Sequence, residues 1–258
     1  VDVRRDPRNY LYRYYLKFID HFSPKMFVFE NVMGITTAQT ADMVKPFDDL
    51  KRIAYEMGYD VESHEQVASD YEVLQHRHRM IIVGWKREDE KHNPTGYHYP
   101  ELVKVTNKFK TRTDIFADLP ERKNGDGRLC EIVHYTKPLE EMKYLEKTGI
   151  RGVFNFTTQH VTRKNNERDR EIYCIAIKAW KHKKRLNYVT LPERLKTHKN
   201  TGSFLNRFSV VDPHGCCHTV VAHIAKDGHY YIFPSENPSI ENVRSISVRE
   251  AARLQSFP

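Results

Sequence analysis

The sequence predicts an α/β first part joined to a second, irregular and β-leaning part, and three observations carry that reading. In the first third of the chain, stripes of apolar residues at helical spacing alternate with short apolar runs of strand character. The alternation stops after Trp85, where polar residues, Pro94, Gly96 and Pro100 take over. A surplus of positive charge is then concentrated in one later segment.

Leu11, Tyr14, Tyr15, Phe18, Ile19 and Phe22 give one apolar helix face that ends before Pro24. Met26-Phe27-Val28-Phe29 follows as a strand. Met43, Phe47, Leu50, Ala54 and Met57 form a second helical stripe, with Gly58 where a C-terminal stop is expected. Tyr59-Asp60-Val61 restarts an extended segment, and Met80 to Trp85 is the most apolar strand of the chain. Strands alternating with helices of this length predict a parallel or mixed sheet covered on both faces. Residues 86–113 read as a connection, so that 1–113 hold the first domain. Residues 114–240 form the second domain, with short extended runs such as Tyr230-Tyr231-Ile232-Phe233. In 241–258, Ser247-Val248-Arg249-Glu250 is a capping box that starts a helix returning to or buttressing the first domain.

Composition narrows the class. The chain has 258 residues, a formal net charge of +8 and a mean hydropathy of −0.70. Fifteen Tyr and thirteen Phe are more aromatics than a disordered tail holds in solution. No apolar run approaches the roughly 18–20 residues of a membrane span. The opening residues Val1 to Asp6 lack the apolar core of a signal peptide, and only four Cys, two of them adjacent and unable to bridge easily to each other, suit a reducing, cytoplasmic compartment. Between Arg151 and Arg207 stand fourteen Lys and Arg against four Asp and Glu, a surplus of ten charges, so the remainder is close to neutral. The basicity belongs to one segment, and that is the first pointer to an anionic partner.

Two short motifs carry chemistry. Phe27-Val28-Phe29-Glu30-Asn31-Val32-Met33-Gly34 sets a carboxylate at the end of a buried strand, where α/β sheets bind ligands; position alone favours a solvent-facing Glu30 that merely ends a strand. Gln75-His76-Arg77-His78-Arg79 leads into the strand at 80–85, and alternation places Gln75, Arg77 and Arg79 on one side. That is a cluster of donors suited to phosphate or carbonyl oxygens, or else a solvated strand edge. His214-Gly215-Cys216-Cys217-His218 invites a metal reading, but adjacent Cys chelate poorly, and a plain loop is the simpler account.

In this order, F-x-F-E-N-V-x-G, Q-x-R-x-R before an apolar strand, a long basic region and R-S-I-S-V-R-E-A-A-R-L-Q-S-F-P resemble the DNA (cytosine-5) methyltransferases of bacterial restriction–modification systems. The similarity also takes in Asp6-Pro7-Arg8-Asn9 and Pro24-Lys25. It implies a Rossmann-like S-adenosylmethionine-dependent methyltransferase domain, incomplete here, with a smaller target recognition domain at 114–240. It implies transfer of a methyl group to C5 of a cytosine flipped out of a specific DNA sequence. By the resemblance Glu30 contacts ring N3 and the exocyclic amine of the base, Arg79 contacts O2, Asn31 shapes the loop, and Arg77 supports the loop or a phosphate. The basic segment then grips double-stranded DNA, with Lys183, Lys184 and Arg185 in its densest run and Thr219 and Arg207 as further contacts. Arg249, Glu250 and Arg253 are structural in this reading, in a helix that buttresses the recognition domain. The stretch Tyr71-Glu72-Val73-Leu74 departs from the Gly and Pro usual before Gln75.

The family's catalytic Cys follows Pro, whereas Cys130, Cys174, Cys216 and Cys217 follow Leu, Tyr, Gly and Cys. No glycine loop for the methyl donor is present either, and the family's last motif is absent. The expectation is a partial methyltransferase, with a complementary N-terminal half or subunit; the alternative is a non-catalytic DNA-recognition subunit or remnant of a split enzyme. A protein of this kind is bacterial or phage-encoded, cytoplasmic and nucleoid-associated. A sheet lacking its first strands should leave an open edge and an uncovered apolar face at 80–85.

Overall fold

The computed structural model describes residues 3–87, 99–199, 201–226 and 228–258, except for the side chains of Val3 and His223. Residues 88–98 of the connection read at 86–113, including Pro94 and Gly96, lie outside the described residues. The chain divides into two compact units, residues 1–71 with 77–105, and residues 72–76 with 106–258.

In the first unit, helix α1 (Leu11–Phe22) buries Tyr12, Leu16 and Ile19 and stops at Ser23, whose φ of 43° turns the chain into Pro24. Strand β1 (Met26–Asn31) follows. Helix α2 (Pro46–Glu56) opens on a proline, carries Asp48 and Asp49 in its first turn, and buries Leu50 and Ala54. Gly58, at φ 88°, makes the turn into strand β2 (Tyr59–Val67). The chain then leaves this unit for a two-residue strand, β3 (Gln75–His76), and returns as β4 (His78–Lys86).

The sheet order is β1-β4-β2, and β4 is antiparallel to both neighbours. This corrects the parallel or mixed sheet expected from the alternation. The residues between β2 and β4 simply reverse direction, and antiparallel pairing needs no helical crossover. Phe27, Met80, Ile82 and Tyr59 share one sheet face and pack with α1 and α2 into a core. Gly84 makes that packing possible, since a Cβ there would lie 2.2 Å from the Phe27 ring.

The apolar surface expected to lie bare on β4 is largely covered, because Met80, Ile82 and Val83 are all buried. The exposure falls elsewhere. On edge strand β1, Met26 and Val28 face solvent, and on α1 so do Leu11, Tyr14, Phe18 and Phe22, each 56–68% exposed. The stripe read from spacing is thus mostly the outer face of α1, while Tyr12, Leu16 and Ile19 turn inward.

The second unit is irregular. Its strands are two residues long: β3 pairs in parallel with β7 (Cys217–His218), and β5 (Val133–His134) pairs with β6 (Phe156–Thr157). Helix α3 (Lys143–Thr148) is short, and α5 (Val248–Leu254) starts on the expected capping box, with both of its hydrogen bonds formed. The longest element, α4 (Glu167–Lys181), lies inside the stretch read as aperiodic; Asn166 caps it by accepting the Asp169 N–H. The compact units therefore cut the chain differently from the boundaries at 113 and 240. Gln75 explains part of this: its buried side chain donates to the Leu254 carbonyl and accepts from the Val220 N–H.

Buried charge organises this unit around α5. Glu250 accepts two hydrogen bonds from Arg244, at 2.7 and 2.8 Å. Arg253 pairs with Asp118, which also pairs with Arg151 at 3.1 Å, and all three are buried. Arg249 donates to the Thr158 and Pro258 carbonyls. Arg249, Glu250 and Arg253 are structural here.

His160 joins the same network. A neutral ring with its proton on Nε2 donates to the Pro120 carbonyl and accepts from the Ser247 hydroxyl, each at 2.9 Å. Burial pushes its pKa below the ordinary 6.5, helped by Arg244 and Arg122 and opposed by Glu250 and the Pro120 carbonyl. The folded chain therefore resists a proton that the unfolded chain accepts, so stability is complete above about pH 6.5 and falls as pH drops through the folded value. Half-buried His218 shifts in the same direction, chiefly by desolvation. Urea midpoints should fall between pH 7.5 and 5.5, and H160Q should show a shallower slope; equal slopes would remove His160 from this role.

Candidate active site

Glu30 sits near the end of β1, opposite Ile81 in the register with β4. Two residues further along the partner strand is Arg79, the diagonal neighbour on the same sheet face. The geometry follows directly: Arg79 Nε donates to Glu30 Oε1 at 2.6 Å, and Arg77 Nη2 donates to the same oxygen at 3.4 Å. Arg79 is further fixed by a 2.7 Å hydrogen bond to the His78 carbonyl and is mostly covered, while Glu30 is half-exposed. An ion pair this open to water contributes about 0–1 kcal/mol to stability. Its consequence is positional. Glu30 Oε2 accepts no hydrogen bond among the described residues, so one carboxylate oxygen is held and the other is presented.

Asn31 faces the other way, opposite Met80, and its Oδ1 accepts the Val32 N–H at 2.8 Å, which shapes the turn after β1. Beside Glu30 lies a cavity of about 410 Å3 whose wall includes Arg8, Leu11, Tyr12, Phe29 and Val32. Arg8 is committed to Asp6, whose carboxyl it holds down at about 2. Tyr12 is the residue that periodicity overlooked; its hydroxyl donates to Asp49 at 2.5 Å, and its spacing with Leu16 and Ile19 was the available signal.

Gln75 is not part of this cluster, contrary to the alternation argument. The strand is interrupted at Arg77, and Gln75 lies in the other unit. Glu72, in the stretch that departs from the family pattern, has a φ of 61°, a conformation glycine adopts without strain.

The other expected contact residues are placed as follows. Lys183, Lys184 and Arg185 follow the end of α4, exposed and without an ion pair among the described residues. Thr219 is half-buried and donates its hydroxyl proton to the His76 carbonyl at 2.9 Å, tying β7 to β3. Arg207 is buried; it donates to the Phe204 and Ser203 carbonyls and lies 4.2 Å over the Tyr188 ring. Its guanidinium locks a turn, and a ligand could reach it only by opening that turn. Three of the four thiols do not resemble nucleophiles: burial pushes Cys174, Cys216 and Cys217 up, the opposite of what a thiolate needs.

The family model for C-5 cytosine-specific DNA methylases matches residues 3–258, and the chain belongs to that family. It is 40% identical to the type II methyltransferase M.Bpa9945I of Bacillus paralicheniformis over 99% of its own length and 57% of that protein's. It is 28% identical to M.DdeI of Desulfomicrobium norvegicum over 99% of its length and 58% of the relative's. A crystal structure of a prophage-encoded DNA modification methyltransferase (E. coli) shares the fold, with a TM-score of 0.53 at 20% identity, covering 98% of this chain and 65% of that one. The fold is the Rossmann-like α/β methyltransferase fold, with small sheets. The chain spans somewhat over half the length of the curated relatives it matches.

Proposed function

We propose that this chain is the base-handling and DNA-recognition part of a DNA cytosine-5 methyltransferase of a restriction–modification system. One observation carries the reading: Glu30, aimed by Arg79 and Arg77 beside a cavity, on a chain matched to the family throughout. A flipped cytosine offers N3 and an exocyclic amine to a carboxyl group and O2 to a guanidinium. A proton supplied at N3 makes C6 more electrophilic, and Arg79 stabilises the charge that grows at O2 during attack. The exposed run Lys183, Lys184 and Arg185 holds duplex phosphates, whose neutralisation gives salt-dependent affinity.

S-adenosylmethionine is the methyl donor of this family. The cavity beside Glu30 does not fit it as it stands, because its one carboxylate, Glu30, has Oε1 held by two arginines and presents Oε2 alone, whereas a ribose diol needs two acceptors. The donor site and the nucleophile therefore belong to the share of the relatives' length that this chain does not span. We infer that this complement, on the same or another polypeptide, covers the exposed stripe of α1 and pairs with the open edge of β1. No helix among the described residues is long and apolar enough to cross a membrane, and a cytoplasmic, nucleoid-associated location fits the proposed substrate.

The test is reconstitution. Mixed with a complementing segment, the chain should incorporate tritium from labelled S-adenosylmethionine into cytosine of duplex DNA. A non-catalytic recognition subunit would bind the duplex and incorporate none, and that result would sink the proposal.

A further inference from the structure

A second cavity, of about 590 Å3, lies wholly within the basic unit at the C-terminal end of α4. Its volume falls in the range of about 300–1,000 Å3 usual for small-molecule sites. The walls are apolar: Ile177, Val210 and Pro213 are buried, and Trp180 is half-buried. Two of its cations are already committed. Arg112 donates to the Pro234 carbonyl at 2.8 Å and pairs with Glu236 at 3.0 Å, and Lys181 donates to the Glu236 carbonyl.

Asp212 and Lys183 also line the cavity, beside His214 and Ser235. Asp212 Oδ1 accepts the His214 N–H at 2.9 Å, but Oδ2 accepts no hydrogen bond among the described residues. Its position depends on Gly215, where a Cβ would lie 2.8 Å from that oxygen. Lys183, turned out of the helix at φ 57°, lines the exposed rim, and its ammonium pairs with no carboxylate among the described residues. Apolar walls, one open acceptor and one open cation are the complement of a flat heterocycle with a donor edge and an attached phosphate.

We propose that this cavity binds a nucleotide, with the base against Trp180 and Ile177, its N–H groups on Asp212 and its phosphate on Lys183. Guanine is the preferred base, because N1–H and the exocyclic amine together engage Oδ2 and the second lone pair of Oδ1, whereas thymine offers a single N–H. The nucleotide comes either from solution or from an extrahelical position in DNA. The second source rests on the DNA-binding role proposed above; the first does not.

The chain has two tryptophans, so W85F leaves Trp180 as the sole tryptophan, excited selectively over tyrosine at the red edge of the absorption band. Titrating this variant with dGMP should give saturable quenching, with TMP about tenfold or more weaker and inorganic phosphate inert. D212N should abolish the preference for dGMP, and K183A should weaken both nucleotides; calorimetry reads the same affinities without fluorescence. For the DNA source, a duplex with one unpaired guanine should bind more tightly than its fully paired counterpart, and D212N should erase that difference. Binding of dGMP without a bulge preference assigns the cavity to a free nucleotide. A bulge preference erased by D212N without dGMP binding assigns it to DNA. Equal affinity for dGMP and TMP, or no binding in either arm, overturns the proposal.

Discussion

Asp118→Ala is expected to unfold the second unit or leave it without fixed tertiary structure. Asp118 is fully buried between Arg253 and Arg151, themselves 1% and 5% exposed. The two guanidiniums also use backbone acceptors, the Ile115 carbonyl at 2.6 Å and the Lys137 carbonyl at 2.8 Å, and both lie over the Tyr135 ring. Neutral acceptors and a ring face do not cancel two charges. Removing the carboxylate therefore strands both cations away from water, at a cost of about 3–5 kcal/mol. A domain of this size has about 5–15 kcal/mol in total, so the loss is a large share. Asp118→Asn should be nearly as damaging, because it keeps the shape and loses the charge. Near-ultraviolet circular dichroism and urea unfolding measure the effect, and a loss under about 1 kcal/mol would mean that water reaches the arginines.

Glu30→Gln is expected to lower single-turnover methyl transfer by about two to four orders of magnitude in the reconstituted enzyme. The amide keeps the size of the side chain and an oxygen for Arg79, but it cannot supply a proton at N3. Duplex affinity should stay within about twofold, since Glu30 touches one base while phosphate contacts dominate binding. The side chain is half-exposed, so folding should be unaffected and thermal unfolding can verify that. Equal losses of turnover and affinity would make Glu30 a binding residue and refute the role proposed for it.

Much of the first unit was legible because its signals are local. Both helices, β1 and β4 follow from apolar spacing with Pro24 and Gly58 as punctuation, and all formed, although Met43 of the second stripe lies before α2. The capping box at Ser247 likewise depends on four consecutive residues. Helix α4 escaped because charged residues dilute its stripe, although Asn166 as a cap and the Ile172, Tyr173, Ala176, Ile177 spacing were available. Gln75 was misplaced for a different reason. Alternation assumes an unbroken strand, and one interruption at Arg77 sends its neighbours to different units.

The sequence by itself determined the elements of the α/β part, the family, the two arginines and the carboxylate of the candidate site, and the segment that holds the positive charge. These depend on residue identity and short spacing. Only the tertiary structure decided that the sheet is antiparallel, that α1 turns Tyr12, Leu16 and Ile19 inward, and that Arg207 is buried while Lys183 is exposed. It also decided that Arg79 meets Glu30, residues 49 positions apart. The physical reason is common to all of these. A period names the faces of an element, but which face is buried, and which charge finds a partner, depends on contacts between residues far apart in the chain.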